Sequence, residues 1–207
     1  MMKNKRKSEL DPREEVVHNI ALATIALKDG NLEKSEKKFL NTLTLAEINN
    51  VYVGIIFICD FLSSVYMNLG NYEKAEDFLL QGLESLPKLG IPGDDNFVVN
   101  FNLKLSRLYS SNENDELAEL SFKNCMEMQK KKLENSIDEE TYILWMTILY
   151  WYGKFLIGKI TIDRNLYEEA SFWCVEGKKL ARKFKNFGAE KESDECLKKI
   201  QKMFVTN

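Results

Sequence analysis

Histidine is almost missing from this chain: His18 is the only one among 207 residues. A catalytic triad with a serine or cysteine nucleophile needs an imidazole base. Here it would have to use His18, which sits beside Asn19 and Ile20 in a helical stretch, where packing is its expected role. A structural zinc site needs about four Cys or His ligands brought close together. The four cysteines, Cys59, Cys125, Cys174 and Cys196, form no CxxC pair, so no metal site is expected. They read as reduced, buried, small apolar residues and not as disulfides. Phosphate-cradling glycine loops of the GxxxxGK[ST] or GxGxxG kind do not occur. Neighbouring carboxylates such as Glu139-Glu140 and Glu168-Glu169 diverge on a helix and suit its N-terminal charge better than acid–base work. These absences argue against an enzyme and against a cofactor.

Charge of one sign is also lacking. The net charge of -3 gives no field that implies nucleic acid or an anionic membrane. The one basic cluster, Lys3, Lys5, Arg6 and Lys7, reads as part of a mobile tail over residues 1–11. Glu9 and Asp11 follow too soon for a complete transit peptide, which would be poor in acids. Long apolar runs are missing as well. Val51–Cys59 and Ile143–Tyr152 are closed by Asp60 and by Gly153-Lys154. A membrane span needs about 20 apolar residues, so both are expected to be core helices. Neither a transmembrane segment nor a secretory signal is expected. Three prolines and ten glycines are too few for a meander of short strands and suit long helices.

What the chain does contain is a repeat. GNLEKSEKKFLNTL from Gly30, GNYEKAEDFLLQGL from Gly70 and NLYEEASFWCVEGK from Asn165 align, with ENDELAELSFKNCM from Glu113 as a weaker fourth copy. A turn residue opens each: Gly30, Gly70, Glu113 or Asn165. A small residue follows at Ser35, Ala75, Ala118 or Ala170. Four residues on comes Phe39, Leu79, Phe122 or Cys174, and three more bring Thr42, Gly82, Cys125 or Gly177. This is helical spacing. The small residue allows close approach of two helices, and the larger one fills the space a turn later. Upstream, Ala23, Ser63 and Ser106 precede Ala26, Tyr66 and Tyr109 by three residues. Together these make the small-then-aromatic pattern of the tetratricopeptide repeat, with Pro87 at the closing proline position. The small residues are 40, 43 and 52 positions apart, longer than the minimal repeat of about 34.

Boundary signals agree. Asp11-Pro12-Arg13-Glu14 and Ser136-Ile137-Asp138-Glu139 read as capping boxes, Asp94-Asp95 as a cap, and Asn186-Phe187-Gly188 as a helix end. Helices are expected near 12–29, 32–49, 51–69, 72–86, 95–111, 114–134, 137–160, 165–186 and 189–204. No run alternates with period two, so no sheet is expected. The fold class is therefore all-α: a tetratricopeptide-type, right-handed helical-hairpin solenoid of about nine helices. Four helix pairs would occupy 12–188 and a capping helix 189–207.

Such a fold offers the inner face of its first helices to a protein segment. The residues expected there are Thr24, Phe57, Asp60, Ser64, Met67, Asn68, Leu103, Arg107, Tyr150 and Lys154, together with Val17. Co-chaperone repeats grip a terminal carboxylate with Lys, Asn and Arg; the corresponding places here hold Ile20, Thr24, Phe61 and Asn100, so that clamp is absent.

A closer likeness emerges from the order of features. SVYMNLGNYEKAEDFLLQGLESL (Ser64 to Leu86) is followed by a glycine-containing loop ending in Asp95-Asn96, then by LKLSRLYSSNENDELAELSFKNC (Leu103 to Cys125). That order resembles the tetratricopeptide repeat protein 19 family of mitochondria. The resemblance implies a non-catalytic scaffold at the mitochondrial inner membrane. Its partners would be subunits of respiratory complex III, whose assembly or maintenance it supports by helping to clear Rieske subunit fragments. No presequence is visible in this chain, and the Gly153–Asn165 connection is longer than the usual tight turn. A general cytoplasmic adaptor of the same repeat type is the alternative.

Overall fold

The structure, a computed structural model, describes residues 11–135, 138–159 and 166–205. The expected basic tail, Ser136-Ile137 and the turn residue Asn165 lie outside them. The described residues form nine α-helices: α1 (Pro12–Lys28), α2 (Leu32–Ile48), α3 (Tyr52–Asn68), α4 (Tyr72–Ser85), α5 (Asn96–Ser111), α6 (Asp115–Asn135), α7 (Glu139–Lys159), α8 (Leu166–Lys183) and α9 (Phe187–Val205). A single 3-10 turn, Pro87–Leu89, follows α4. The chain divides into two compact units, Met1–Pro92 and Gly93–Asn207. The boundary falls in the proline- and glycine-containing connection after α4.

One turn device recurs. The N–H of Gly30 donates to the carbonyl of Leu27 and that of Asn31 to Ala26, while Gly30 takes φ +77°. This left-handed cap satisfies the last carbonyls of α1. The Asn31 side chain then accepts from the Lys34 N–H and caps α2. Gly70 and Asn71 repeat the arrangement between α3 and α4. Asn50, Glu113 and Lys185 occupy the left-handed position at other junctions. Lys185 explains a correction at Asn186. That residue does not end a helix; its side chain accepts from the Ala189 N–H and caps α9, so Gly188 lies inside the helix. Likewise Asp138 performs the capping near 136–139, accepting from the Thr141 N–H at 2.7 Å.

The repeat positions are the packing positions. Ser35, Ala75, Ala118 and Ala170 are fully buried, as are Phe39 and Leu79, with Phe122 and Cys174 nearly so. Ser35 donates its hydroxyl to the Ala23 carbonyl across the first hairpin, which satisfies a buried polar group. Each large side chain buried in this way contributes roughly 1.5–3 kcal/mol. In the first unit α3 packs against α1, α2 and α4. In the second, α7 packs against α5, α6, α8 and α9. The two apolar runs thus belong to the helices with the most neighbours, since a helix surrounded on several sides has little polar face to spare.

The second unit adds a buried polar network. Gln129 donates to the Thr141 carbonyl at 2.9 Å and to Asn96 at 3.3 Å, and Asn96 donates to the Thr141 hydroxyl. It ties α5, α6 and the start of α7 together. The same unit corrects the expectation of four reduced cysteines. Cys174 on α8 and Cys196 on α9 are joined as a disulfide with a Cα separation of 6.2 Å, within the usual range. Cys59 and Cys125 remain free and buried. Gly153 of α7 lies beneath the pair: a Cβ there would come within 2.8 Å of the Cys174 sulfur, so only glycine fits without displacement.

Candidate protein-binding surfaces

The first helices of the first unit leave an open groove of about 700 Å³. Val17 of α1 is 65 % exposed, and Val53 and Phe57 of α3 are 66 % and 51 % exposed. These line the groove together with Ile20 and Leu89, while Arg13 and Lys88 supply positive charge at its margins. Lys88 lies over the Tyr52 ring at 5.1 Å. Large apolar side chains spaced one turn apart on α3 are therefore offered to solvent beside two cations.

Of the residues expected at the surface of this unit, Phe57 lines the groove. So does Val17, whereas Thr24, Asp60, Ser64, Met67 and Asn68 lie off it. Thr24 spends its hydroxyl on the Ile20 carbonyl. The Asp60 carbonyl accepts from the hydroxyls of Ser63 and Ser64. Met67 is half-buried and Asn68 exposed at the end of α3. Val53, Arg13, Lys88 and Leu89 were not expected there. The Val53–Phe57 pair was hidden inside an apolar run that reads as core throughout. The usable signal was that such a run on a helix in a small unit has more apolar faces than neighbours.

In the second unit, Arg107, Tyr150 and Lys154 come together around Trp151. The Arg107 guanidinium lies 3.6 Å from the indole centre. The Lys154 ammonium lies 4.4 Å from the same ring and 5.5 Å from that of Tyr150. Such contacts hold cations over aromatic faces. Burial lowers the Arg107 pKa from its ordinary value, and the Arg107 Nε is buried without a hydrogen-bond partner. Burial lowers that of Lys154 too, helped by the charges of Lys199 and Arg107. Leu103 needs correcting: at 2 % exposure it belongs to the core with Val99, Phe122 and Ile148 and cannot line a surface. It shares α5 with Arg107 but lies one turn away, where the helix faces inward.

Catalytic chemistry finds little to work with. Burial pushes the Cys59 thiol up to about 12, aided by Glu47 and Asp60, and the Cys125 thiol up to about 11. Neither is a ready nucleophile. Among the described residues no group of three His, Cys, Asp or Glu is arranged to hold a metal ion, and no helix is long and apolar enough to cross a membrane.

Comparisons with known proteins agree with this architecture. The tetratricopeptide repeat profile matches residues 58–88, from the middle of α3 through the 3-10 turn. The chain is 23 % identical over 174 residues to the mitochondrial tetratricopeptide repeat protein 19 of Rattus norvegicus, covering 78 % of this chain and 48 % of that protein. The Danio rerio counterpart is 22 % identical over 135 residues, covering 65 % and 34 %. The chain thus spans about half the length, or less, of the curated relatives it matches. Among solved structures, BtubC (BKLC) from P. vanneervenii superposes with a TM-score of 0.63 at 17 % identity, over 88 % of this chain and 69 % of that one. A Podosopora anserina protein with nearly identical TPR-like repeats gives 0.60 at 14 % identity, over 96 % and 98 %. The helix hairpins, their packing positions and these similarities show an all-α fold of tetratricopeptide type, in a chain that resembles tetratricopeptide repeat protein 19.

Proposed function

We propose that this chain is a non-catalytic scaffold that holds a protein segment on the exposed faces of its first helices. We further propose that it works in mitochondria, in the assembly or maintenance of respiratory complex III. The observation that carries the first part is the groove of the first unit, where Val17, Val53 and Phe57 stand exposed beside Arg13 and Lys88. Exposed apolar side chains rimmed by polar groups mark interaction sites. An amphipathic helix or an extended segment with apolar anchors fits such a groove. The second part is supported by the sequence similarity to proteins named as mitochondrial. On this reading the partner would be one or more complex III subunits, including fragments of the Rieske subunit. The groove would retain the partner by burying its anchors, with no bond made or broken.

Affinity capture from detergent-solubilised mitochondria tests both parts. The tagged chain is expected to recover complex III subunits. Recovery of other proteins without them would remove the complex III assignment and leave a general adaptor. A native protein wholly in the cytosolic fraction would do the same.

A further inference from the structure

Among the described residues, six cations of the second unit form ion pairs with acidic side chains. Lys123 pairs with Glu119, Lys131 with Glu127, Lys159 with Asp115 and Glu119, Lys178 with Asp194, Lys179 with Glu176, and Arg182 with Glu190. Arg107, Lys154 and Lys199 are not among them, and what sets the first two apart is a shared aromatic partner. None of the ion pairs among the described residues uses them. Two of them crowd one indole: Arg107 from α5 and Lys154 from α7 both lie against Trp151. Lys199 of α9 adds like charge to Lys154. Glu192 and Glu195 of α9 supply opposite charge that partly offsets this at Lys154, and none of the ion pairs among the described residues joins them to it. Half-buried like charges on one ring repel, and an anion placed beside them relieves that repulsion. A guanidinium suits a carboxylate, and Trp151 and Tyr150 give apolar contact alongside.

We propose that the face shared by α5, α7 and α9 is a docking site for an acidic protein segment, whose Asp or Glu carboxylates sit against Arg107 and Lys154. This rests on the protein-holding reading and names the chemistry of what the second unit holds.

Fluorescence anisotropy on the full chain at low salt tests it, with fluorescein-labelled hexaglutamate and hexaglutamine as probes. Hexaglutamate is expected to bind at least about tenfold more tightly, and Lys154→Glu to weaken it by about tenfold or more. Lys131→Glu, exposed on α6, is expected to leave it unchanged. A melting curve checks that Lys154→Glu folds, and Lys154→Gln replaces it if it does not. Equal binding of the two probes overturns the proposal. So does equal weakening by Lys131→Glu and Lys154→Glu, which would mean attraction without a site. Tighter, hexaglutamate-competed retention on phosphatidylserine vesicles would also overturn it, in favour of a lipid surface. Peptide binding that passes while mitochondrial capture recovers no complex III would sink the larger assignment and leave this site standing. Capture undiminished by Lys154→Glu would sink the site alone.

Discussion

Cys59 shows how a single side chain is tuned by where its helix places it. Cys59 sits on the inner side of α3, where its thiol donates to the Gln81 side chain and burial raises its pKa. In the unfolded chain the same thiol ionises near 9, whereas in the fold it resists to about 12. A folded pKa above the unfolded one means that the stabilisation is complete below pH 9 and is lost as pH rises from 9 towards 12. Tyr66, raised to about 12 by burial and by its hydrogen bond to Glu36, acts in the same direction above its ordinary value of 10. The chain is therefore expected to lose stability steeply above pH 9, and Cys59→Ala to flatten that loss. Urea melts at pH 8 and pH 10 check this; parallel losses in both proteins would contradict it. At this scale some positions were legible in the sequence and others were not. Gly30 and Gly70 announced their left-handed turns because glycine is the usual solution there. Lys185 gave no such sign, so the start of α9 was placed two residues late.

At the scale of the helix, small residues decide the packing. Ala75 and Ala118 lie fully buried where α4 meets α3 and α6 meets α5. Arginine at either position would bury a charge with no partner, a loss of several kcal/mol, about 3–5 where measured for broken buried pairs. Ala75→Arg and Ala118→Arg are each expected to lower the melting temperature sharply or to abolish folding, as followed by circular dichroism. An unchanged melting temperature in both would show that the hairpins pack in another register. This register was legible because it is local: the small residue, the larger one four on and the turn before them all fall within one helix. The Cys174–Cys196 bond was not. The two residues are 22 apart, and only the packing of α9 back onto α8 brings them together over Gly153.

For the whole molecule, the fold class was readable and the binding surface much less so. Hairpin repeats follow from patterns within about 40 residues, whereas a surface depends on which faces neighbours leave uncovered. Val53 shows this: it belongs to an apolar run that looks like core, yet α3 turns it outward beside Phe57. Leu103 shows the reverse, a residue expected outside that packs inside. Arg107, Tyr150 and Lys154, on two helices more than 40 residues apart in sequence, do meet around one indole. On the proposed function, the exposed first-helix faces hold a protein partner. Quantitative capture from solubilised mitochondria with the wild-type chain and with Val53→Glu and Phe57→Glu combined tests this. Both side chains are exposed, so the double variant is expected to fold with a melting temperature close to wild type. The double variant is expected to recover about tenfold less of the partner, or worse, as buried apolar anchors dominate such interfaces. Equal recovery by the two proteins, each shown to be folded, would contradict it.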